Sequence, residues 1–418
     1  MLDLLVIGAG LAGLSAALAA AEAGLRVRVV AKGQGAHHWH TGAVDLLGYL
    51  PGAARPVVAP LQALDDLPAQ HPYRRLGAAA IGRALTRFHG WLDDSGLGYS
   101  GATVENANLL LPSAVGAPRP TFFAPQAQRA GDLTQPPPLL IVGFRGLRDF
   151  FPHLIAENLT RAGHRARAEL APLEAITTRR DANPIHLAAA LDAPAARARL
   201  AGALRPYCRS GERVGLPAIL GLNQHPAAWA ELQERLAAPV FEIPTLPPSV
   251  AGLRLYQALA QRLQRLGVRV EVGMEAIGFD QANRRITAVQ TATSARPLSH
   301  RAGHVLLATG GILGGGFNSD HTGRIWETVF DLPLTAPAER SGWFHHHFLH
   351  AGGHPIFSAG APVNNAWQPV NANGDMVYDN LWAAGGVLAH ADPIRERSLE
   401  GLAIATAIAA VGAIIHRP

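Results

Sequence analysis

The sequence predicts an α/β fold in which a parallel-sheet domain is interrupted by a second α/β layer. Three stretches carry this expectation. A strand, glycine turn, helix and strand open the chain in "LLVIGAGLAGLSAALAAAEAGLRVRVVAKG" (residues 4–33), a strand ending in "LLATGG" follows a hairpin pattern at 306–311, and "NLWAAGG" leads into an Asp and a final helix. Between them, residues 139–245 alternate strand-like and helix-like segments, which implies parallel strands joined by helical crossovers.

The elements follow in order. Leu4–Ile7 reads as a strand, the helix after the glycine turn runs to about Ala23 with Gly24 placed to end it, and Val27–Val30 is the next strand. Residues 51–138 are rich in Pro and Gly and weakly periodic, with the triple proline 136–138 as punctuation. "LLIVGFRGLRDFFPHLIAENL" reads as buried strand, turn and amphipathic helix; "RARAEL", 186–204, "VGLPAILGL" and 227–237 continue the alternation. Ser249 caps a helix reaching about Leu266, then come strand Val268–Val272, a hairpin turning at "DQANRR", and strand "HVLLATGG". Residues 317–374 are irregular.

Composition narrows the function classes. With 418 residues, 48% hydrophobic and 16% charged, the chain can bury a large core and is not disordered throughout. A net charge of +5 and a pI near 9.8 raise the question of nucleic acid. There is no basic block, and the arginines are scattered as on solvated helix faces, Arg262 and Arg265 for example, so no nucleic-acid partner is expected. The single cysteine, Cys208, rules out a disulfide framework, a CxxC pair and a cysteine-ligated iron–sulfur cluster within this chain. No basic segment precedes the apolar start, which argues against a secretory signal. The terminal run "LEGLAIATAIAAVGAII" is 17 residues long and contains Glu400, so a buried helix is expected rather than a membrane span.

The glycines carry the chemistry. In Gly8-x-Gly10-x-x-Gly13 the first glycine permits the tight turn, the second lets a pyrophosphate approach the backbone, and the third lets helix and strand pack closely. The helix start at Leu11 and Ala12 then offers free N–H groups and a positive dipole end. Dinucleotide units usually place an acid for the ribose at the end of the second strand; here Ala31 stands there, followed by Lys32 and Gly33. Lys32 is the only lysine among 36 basic residues, which sets it apart from arginines that drift in anywhere. Taken together, the opening unit, the segment ending in Ala308–Gly311 and the closing "AAGG…D…helix" resemble the two-dinucleotide type of flavoprotein.

The resemblance extends to a narrower branch. In flavoproteins like fumarate reductase and L-aspartate oxidase the second strand often ends in a small residue and lysine, followed by a small-residue stretch, and "AKGQGAHHWHTGAVDLLG" resembles that arrangement. "GQGAHHWHTGAVDLLGYLP", "HPYRRLG", "IVGFRGLRDF", "PTLPPSVAGLRL", "LLATGGILGGG" and "LWAAGGVLAHADPI" run in order and look like the B subunit of the anaerobic glycerol-3-phosphate dehydrogenase. The resemblance implies a flavin subunit that works with a second flavoprotein subunit and an iron–sulfur subunit. Together these oxidise sn-glycerol 3-phosphate to dihydroxyacetone phosphate and reduce quinone, in the cytoplasm against the inner face of the membrane. It implies FAD, with FMN left open by the missing ribose acid at Ala31. The implied cofactor-binding residues are Gly8, Gly10, Leu11, Ala12, Gly13, Ala31, Lys32, Gly33, His40, Thr41, Gly42, Ala276, Ala308, Thr309, Gly310, Gly385, Gly386, Asp392, Ser398 and Leu399. "HADPIRERSLEG" departs from the pattern by being arginine-rich where glycine and small residues are expected. A self-sufficient flavin oxidoreductase acting on a small acid is the alternative, and a relative that keeps the fold without flavin is a third class.

Other residues have competing readings. His40 is a candidate to hydrogen-bond the flavin or handle a proton, and Arg395 to clamp a phosphate or carboxylate, against the reading of Arg395 and Arg397 as a subunit-contact loop. The histidines of "HHWH" and "HHHFLHAGGH" lack the acidic or cysteine company of a metal site, so no metal is expected. The expected division is 1–50, 248–316 and 375–418 for the flavin-binding domain, 51–247 for the inserted domain, and 317–374 for a His-rich substrate or subunit contact.

Overall fold

A computed structural model describes residues 2–101 and 106–416. The chain forms two compact units, one of Met1–Ala36, Asp45–Trp91 and Leu259–Pro418, the other of His37–Val44 and Leu92–Ala258.

The first unit is built on a five-stranded parallel sheet. Its strands are β1 (Leu2–Ile7), β2 (Val27–Ala31), β9 (Arg269–Val272), β13 (Ala302–Leu307) and β16 (Leu381–Ala383), in the order β16-β13-β1-β2-β9. β1 is buried from Leu4 to Ile7, as a central strand covered on both faces must be. Helix α1 (Leu11–Glu22) is rich in alanine and buried from Leu11 to Ala20; it packs on α4 (Leu399–Ile415). Gly24, with φ +83°, takes the left-handed position that ends α1, where N–H groups of Gly24 and Leu25 return to the carbonyls of Ala21 and Ala20. The hairpin of β10 (Ala276–Ala282) and β11 (Arg285–Thr291) turns at Asn283 and Arg284, both with positive φ, as a two-residue turn demands. Strand β12 (Leu298–His300) joins that hairpin, and β14 (Phe317–Ser319) pairs with β15 (Ile325–Glu327). The terminal apolar run is α4, buried along most of its length, and no helix among the described residues is long and apolar enough to cross a membrane.

The second unit holds a four-stranded parallel sheet in the order β6-β5-β7-β8, formed by β5 (Leu139–Arg145), β6 (Ala166–Pro172), β7 (Arg213–Pro217) and β8 (Val240–Ile243). Leu139–Val142, Phe144, Val214, Leu216 and Phe241 make its core. A hairpin of β3 (Leu109–Pro112) and β4 (Pro118–Thr121) stands beside it in the chain, with Leu111 opposite Arg119 and Leu109 opposite Thr121. The stretch 186–204, read as one helix, is two, Pro184–Ala190 and Pro194–Leu204, because Pro194 cannot continue the first.

The boundaries differ from the division at residue 51. Residues 45–91 belong with the flavin-type sheet, while 37–44 and 248–258 belong with the second unit. Helix α2 (Ala78–Leu92) is the main reason: it buries Ile81, Leu85, Phe88 and Trp91, and Arg87 and Trp91 both bind Glu22 of α1. The apolar spacing of those residues is helical, but the surrounding Pro and Gly mask it in the sequence.

Candidate functional site

In the first unit the three glycines do three different jobs. Gly8 has φ +116°, and a methyl there would overlap the carbonyl of Ala308 at the end of β13. A methyl at Gly13 would overlap the carbonyl oxygen of Gly8. Gly10 is the opposite case: a methyl would come no closer than 4.0 Å to anything, and that neighbour is the Cα of Gly35. Nothing in the fold requires glycine at position 10, so the space above it is open backbone. Gly10 also stands at the N-cap of α1, where no side chain caps the helix and no acid sits in the first turn. The N–H groups of Leu11, Ala12 and Gly13 therefore face this opening as donors for an anion.

Two further loops close on the same turn. A methyl at Gly385, φ +77°, would stand 2.7 Å from Cβ of Ala12, and one at Gly311 would stand 2.6 Å from the carbonyl oxygen of Gly386. The loop after β13 and the loop after β16 thus meet backbone to backbone at the carboxyl ends of the parallel strands, the edge where open α/β sheets bind ligands. The hydroxyl of Thr406 in α4 accepts from N–H of Gly385 at 2.9 Å and fixes that loop. Thr309 leaves its Oγ1 buried without a partner in the first of these loops. On the far side the carbonyl of Ala31 accepts from N–H of Met274 at 2.8 Å, Gly33 has open space around it, and Ala276 begins β10 opposite Thr291.

In the second unit, segment 37–42 is clamped by the "PTLPPSV" stretch. N–H of Ser249 donates to the carbonyl of His38 at 2.8 Å, its hydroxyl donates to the carbonyl of His40 at 2.6 Å, and the same hydroxyl accepts from N–H of Gly252 at 3.0 Å. Ser249 caps helix α3 (Val250–Arg265), as its position in the sequence indicates. Gly252 is obligatory because a methyl would overlap the carbonyl of His37, and Gly42, φ +79°, lies against Ala251. Tyr99 donates its hydroxyl to the carbonyl of Gly42. Thr41 is held twice: its hydroxyl accepts from Nη1 of Arg119 and its carbonyl from Nε2 of Gln128, each at 2.8 Å. Nδ1 of His40 accepts from N–H of Gly42 at 2.9 Å, so a neutral His40 carries its proton on Nε2. His37 is buried beside His40 and Tyr256, with ring centroids 5.9 and 5.3 Å away. Burial first, then the neighbouring His40, depresses its pKa to about 3.

The FAD binding domain family matches residues 3–401. A protein of Halobacterium salinarum described as a probable B subunit of anaerobic glycerol-3-phosphate dehydrogenase is 34% identical over 98% of this chain and 96% of its own length. The corresponding B subunit of Pectobacterium atrosepticum is also 34% identical, over 97% of this chain and 96% of its own. The chain belongs to the family of anaerobic glycerol-3-phosphate dehydrogenase B subunits. Among solved structures, a flavocytochrome c3 fumarate reductase covers 99% of the chain and 77% of its own length at 11% identity and a TM-score of 0.42.

FAD is the cofactor of this flavoprotein fold, and the residues of the first unit fit it. The open backbone above Gly10, the uncapped start of α1 and the unpartnered hydroxyl of Thr309 are the features a pyrophosphate-bearing ligand uses.

Several family-implied side chains are engaged elsewhere. Lys32 is 77% exposed and pairs with Glu275 at 2.8 Å, because β2 ends at Ala31 and the chain leaves the sheet there. Asp392 spends its carboxylate on the N–H groups of Ile394 and Arg395. Arg395 does not point donors at a shared centre; it donates to the carbonyls of Ala351 and Ala53 and stacks on Tyr49. Ser398 donates to Glu396 at 3.0 Å, and Leu399 starts α4. His40, Thr41 and Gly42 belong to the second unit. The exposed histidines of 345–354 stack and bond among themselves, as at His345 and His350, and no group of His, Cys, Asp or Glu able to hold a metal occurs among the described residues.

One network of this family member escaped the sequence reading. Glu396, 3% exposed, accepts from His71 Nε2 at 3.1 Å and from N–H of Asp392 at 3.1 Å, besides Ser398. His71 accepts from N–H of Tyr73 on Nδ1, which sets Nε2 as the donor. Glu400 accepts from N–H of Asp45, and Tyr73 donates to the carbonyl of Leu46. Burial, and then Glu396, Glu400 and Asp45, push the Tyr73 phenol well above its ordinary value. The departing "RERSLEG" thus builds a buried join with "HPYRRLG"; two acids placed at the head of an apolar helix were the available signal. Glu396→Ala leaves the His71 N–H buried without an acceptor and is expected to cost about 2–4 kcal/mol of stability, read from urea unfolding midpoints; a change below about 0.5 kcal/mol would contradict this role.

Proposed function

We propose that the chain is the flavin-dependent subunit of a glycerol-3-phosphate dehydrogenase complex. It passes electrons from the oxidation of sn-glycerol 3-phosphate to dihydroxyacetone phosphate toward quinone, through a partner iron–sulfur subunit. The observation that carries this reading is the end-to-end likeness to its B-subunit relatives, 34% over 98% of the chain. FAD, when bound, accepts the two electrons that leave an alcohol carbon as it becomes a ketone. The chain's own part is to hold the cofactor on the backbone of Gly8, Gly10, Leu11, Ala12 and Gly13, with Ala31, Gly33, Ala276 and the 308–310 and 385–386 loops as further contacts. Asp392, Ser398 and Leu399 support the loop at the start of α4. A single cysteine leaves no ligand set for an iron–sulfur cluster in this chain, which supports a partner that carries it. Such partners would hold the complex at the cytoplasmic face of the membrane.

The isolated chain is expected to oxidise glycerol 3-phosphate very slowly with quinone. Adding the second flavoprotein subunit and the iron–sulfur subunit should restore turnover, measured as quinone reduction. Fast quinone-linked activity from the chain alone would overturn the complex and favour a self-sufficient oxidoreductase.

A further inference from the structure

The second unit holds a cavity of about 170 Å³ at the amino ends of its parallel strands. Leu139 begins β5, Arg213 begins β7 and Arg165 directly precedes β6; all three line the cavity, together with His164 and the loop 133–137. Open α/β sheets take their usual ligands at the opposite, carboxyl ends.

The proline run decides which groups are left over. Pro136 and Pro137 have no N–H, so this loop presents carbonyls. Arg213 takes four carbonyls, those of Ala130, Asp132, Gln135 and Pro137, at 2.8 to 3.0 Å. Its own N–H takes the carbonyl of Pro138, and Nη2 of Arg165 takes that of Pro136. These acceptors are used, while donors remain. Nε of Arg213 is buried without a partner in a residue only 6% exposed. Nε and Nη1 of Arg165 and the ring of His164 make no hydrogen bond among the described residues.

The charge is equally one-sided. No Asp or Glu lines the cavity, and neither guanidinium forms an ion pair among the described residues. Asp132, the acid that acts on Arg213, spends its oxygens on the N–H groups of Leu110 and Thr134 and on the Thr134 hydroxyl. Burial, and then the charge of Arg213, hold the pKa of His164 below its ordinary value. A ligand suited to these walls accepts hydrogen bonds, carries negative charge and is small. One water needs about 10–15 Å³, so the cavity has room for an ion of five heavy atoms. We propose that this cavity binds a small tetrahedral oxyanion of the phosphate or sulfate type, held by Arg165 and His164 against the buried charge of Arg213. Bound there, the anion ties the loop 133–137 to the chain entering β6 through charge-assisted hydrogen bonds.

The flavin-loaded full-length chain would be dialysed near neutral pH against radiolabelled sulfate, with ionic strength held constant by chloride. Binding should be saturable. Arg165→Gln and His164→Ala should each weaken it about tenfold or more. His164→Ala breaks no hydrogen bond within the protein, so it keeps the test sound if Arg165→Gln disturbs the loop through Pro136. Arg161→Gln removes an exposed arginine that pairs with Glu157 on the helix Pro152–Arg161 and does not line the cavity, and it should leave the affinity unchanged. Unlabelled phosphate should displace the label, and additional chloride should not. The absence of saturable binding, unchanged affinity in both cavity variants, an equal loss in Arg161→Gln, or displacement by chloride would overturn the site.

Discussion

Gly10→Ala is expected to give a folded protein without flavin, and Gly13→Ala a protein that struggles to fold at all. The two substitutions add the same methyl three residues apart in one turn. At Gly13 the methyl would overlap the backbone oxygen of Gly8, which cannot move without shifting the end of β1. Overpacking against backbone in a buried turn should cost about 3 kcal/mol or more. At Gly10 the methyl meets nothing within contact distance short of the Gly35 Cα at 4.0 Å, so stability should hold within about 0.5 kcal/mol. The methyl would stand in the opening that a pyrophosphate approaches, and FAD affinity should fall about a hundredfold, or ~3 kcal/mol. Flavin absorbance after gel filtration and Tm without added flavin separate the two outcomes. Full flavin occupancy in Gly10→Ala would remove the glycine turn from the binding site.

The second large effect is acid sensitivity set by His37. Its pKa is about 3 in the folded chain against 6.5 ordinarily, because burial and then His40 and His38 oppose a charge there. Above pH 6.5 the ring is neutral whether the chain is folded or not, and it contributes nothing to pH dependence. Below pH 6.5 the unfolded chain takes up a proton that the folded chain refuses, so stability falls steadily as pH drops toward 3. Between pH 7.5 and 5 this amounts to about 2 kcal/mol from His37 alone. His225, whose pKa burial lowers to about 4, acts in the same direction, so the comparison must be with His37→Leu rather than with a flat line. The loss of stability across that range, from urea unfolding at the two pH values, should shrink by about that amount in His37→Leu. Equal losses in parent and variant would mean that the ring is reached by water.

Backbone roles were legible in the sequence and side-chain roles largely were not. Gly8, Gly13, Gly311 and Gly385 are glycines because a Cβ has nowhere to go, and that requirement leaves the same mark in any sequence that folds this way. The opening strand, α1, the hairpin at Asn283–Arg284, the cap at Ser249 and the buried terminal helix were likewise readable from local pattern. Lys32 stood out as the one lysine of the chain, but rarity says nothing of exposure, and its side chain is largely exposed. Arg395 looked like a ligand clamp because of its neighbours in sequence, and its donors go to carbonyls of Ala351 and of Ala53, over three hundred residues away. The join of His71 to Glu396, and the unserved hydroxyl of Thr309, depend on burial, which no spacing in the chain reports.

The order of strands also dictates when the cofactor site can exist in a growing chain. β1 has β2 as a neighbour almost at once, but its other neighbour, β13, pairs Leu2 with Ala302. At about 5–20 residues per second a ribosome needs roughly 15–60 seconds to supply that partner. All that while one edge of β1 has no sheet to join, and the "ATGG" loop that roofs Gly8 has not been made. β16 and α4, which bring the Gly385 loop, arrive only with the last forty or so residues. A nascent chain therefore cannot capture its flavin early and use it as a folding nucleus. The cofactor comes last, and a chain that loses its final helix should accumulate without ever turning yellow.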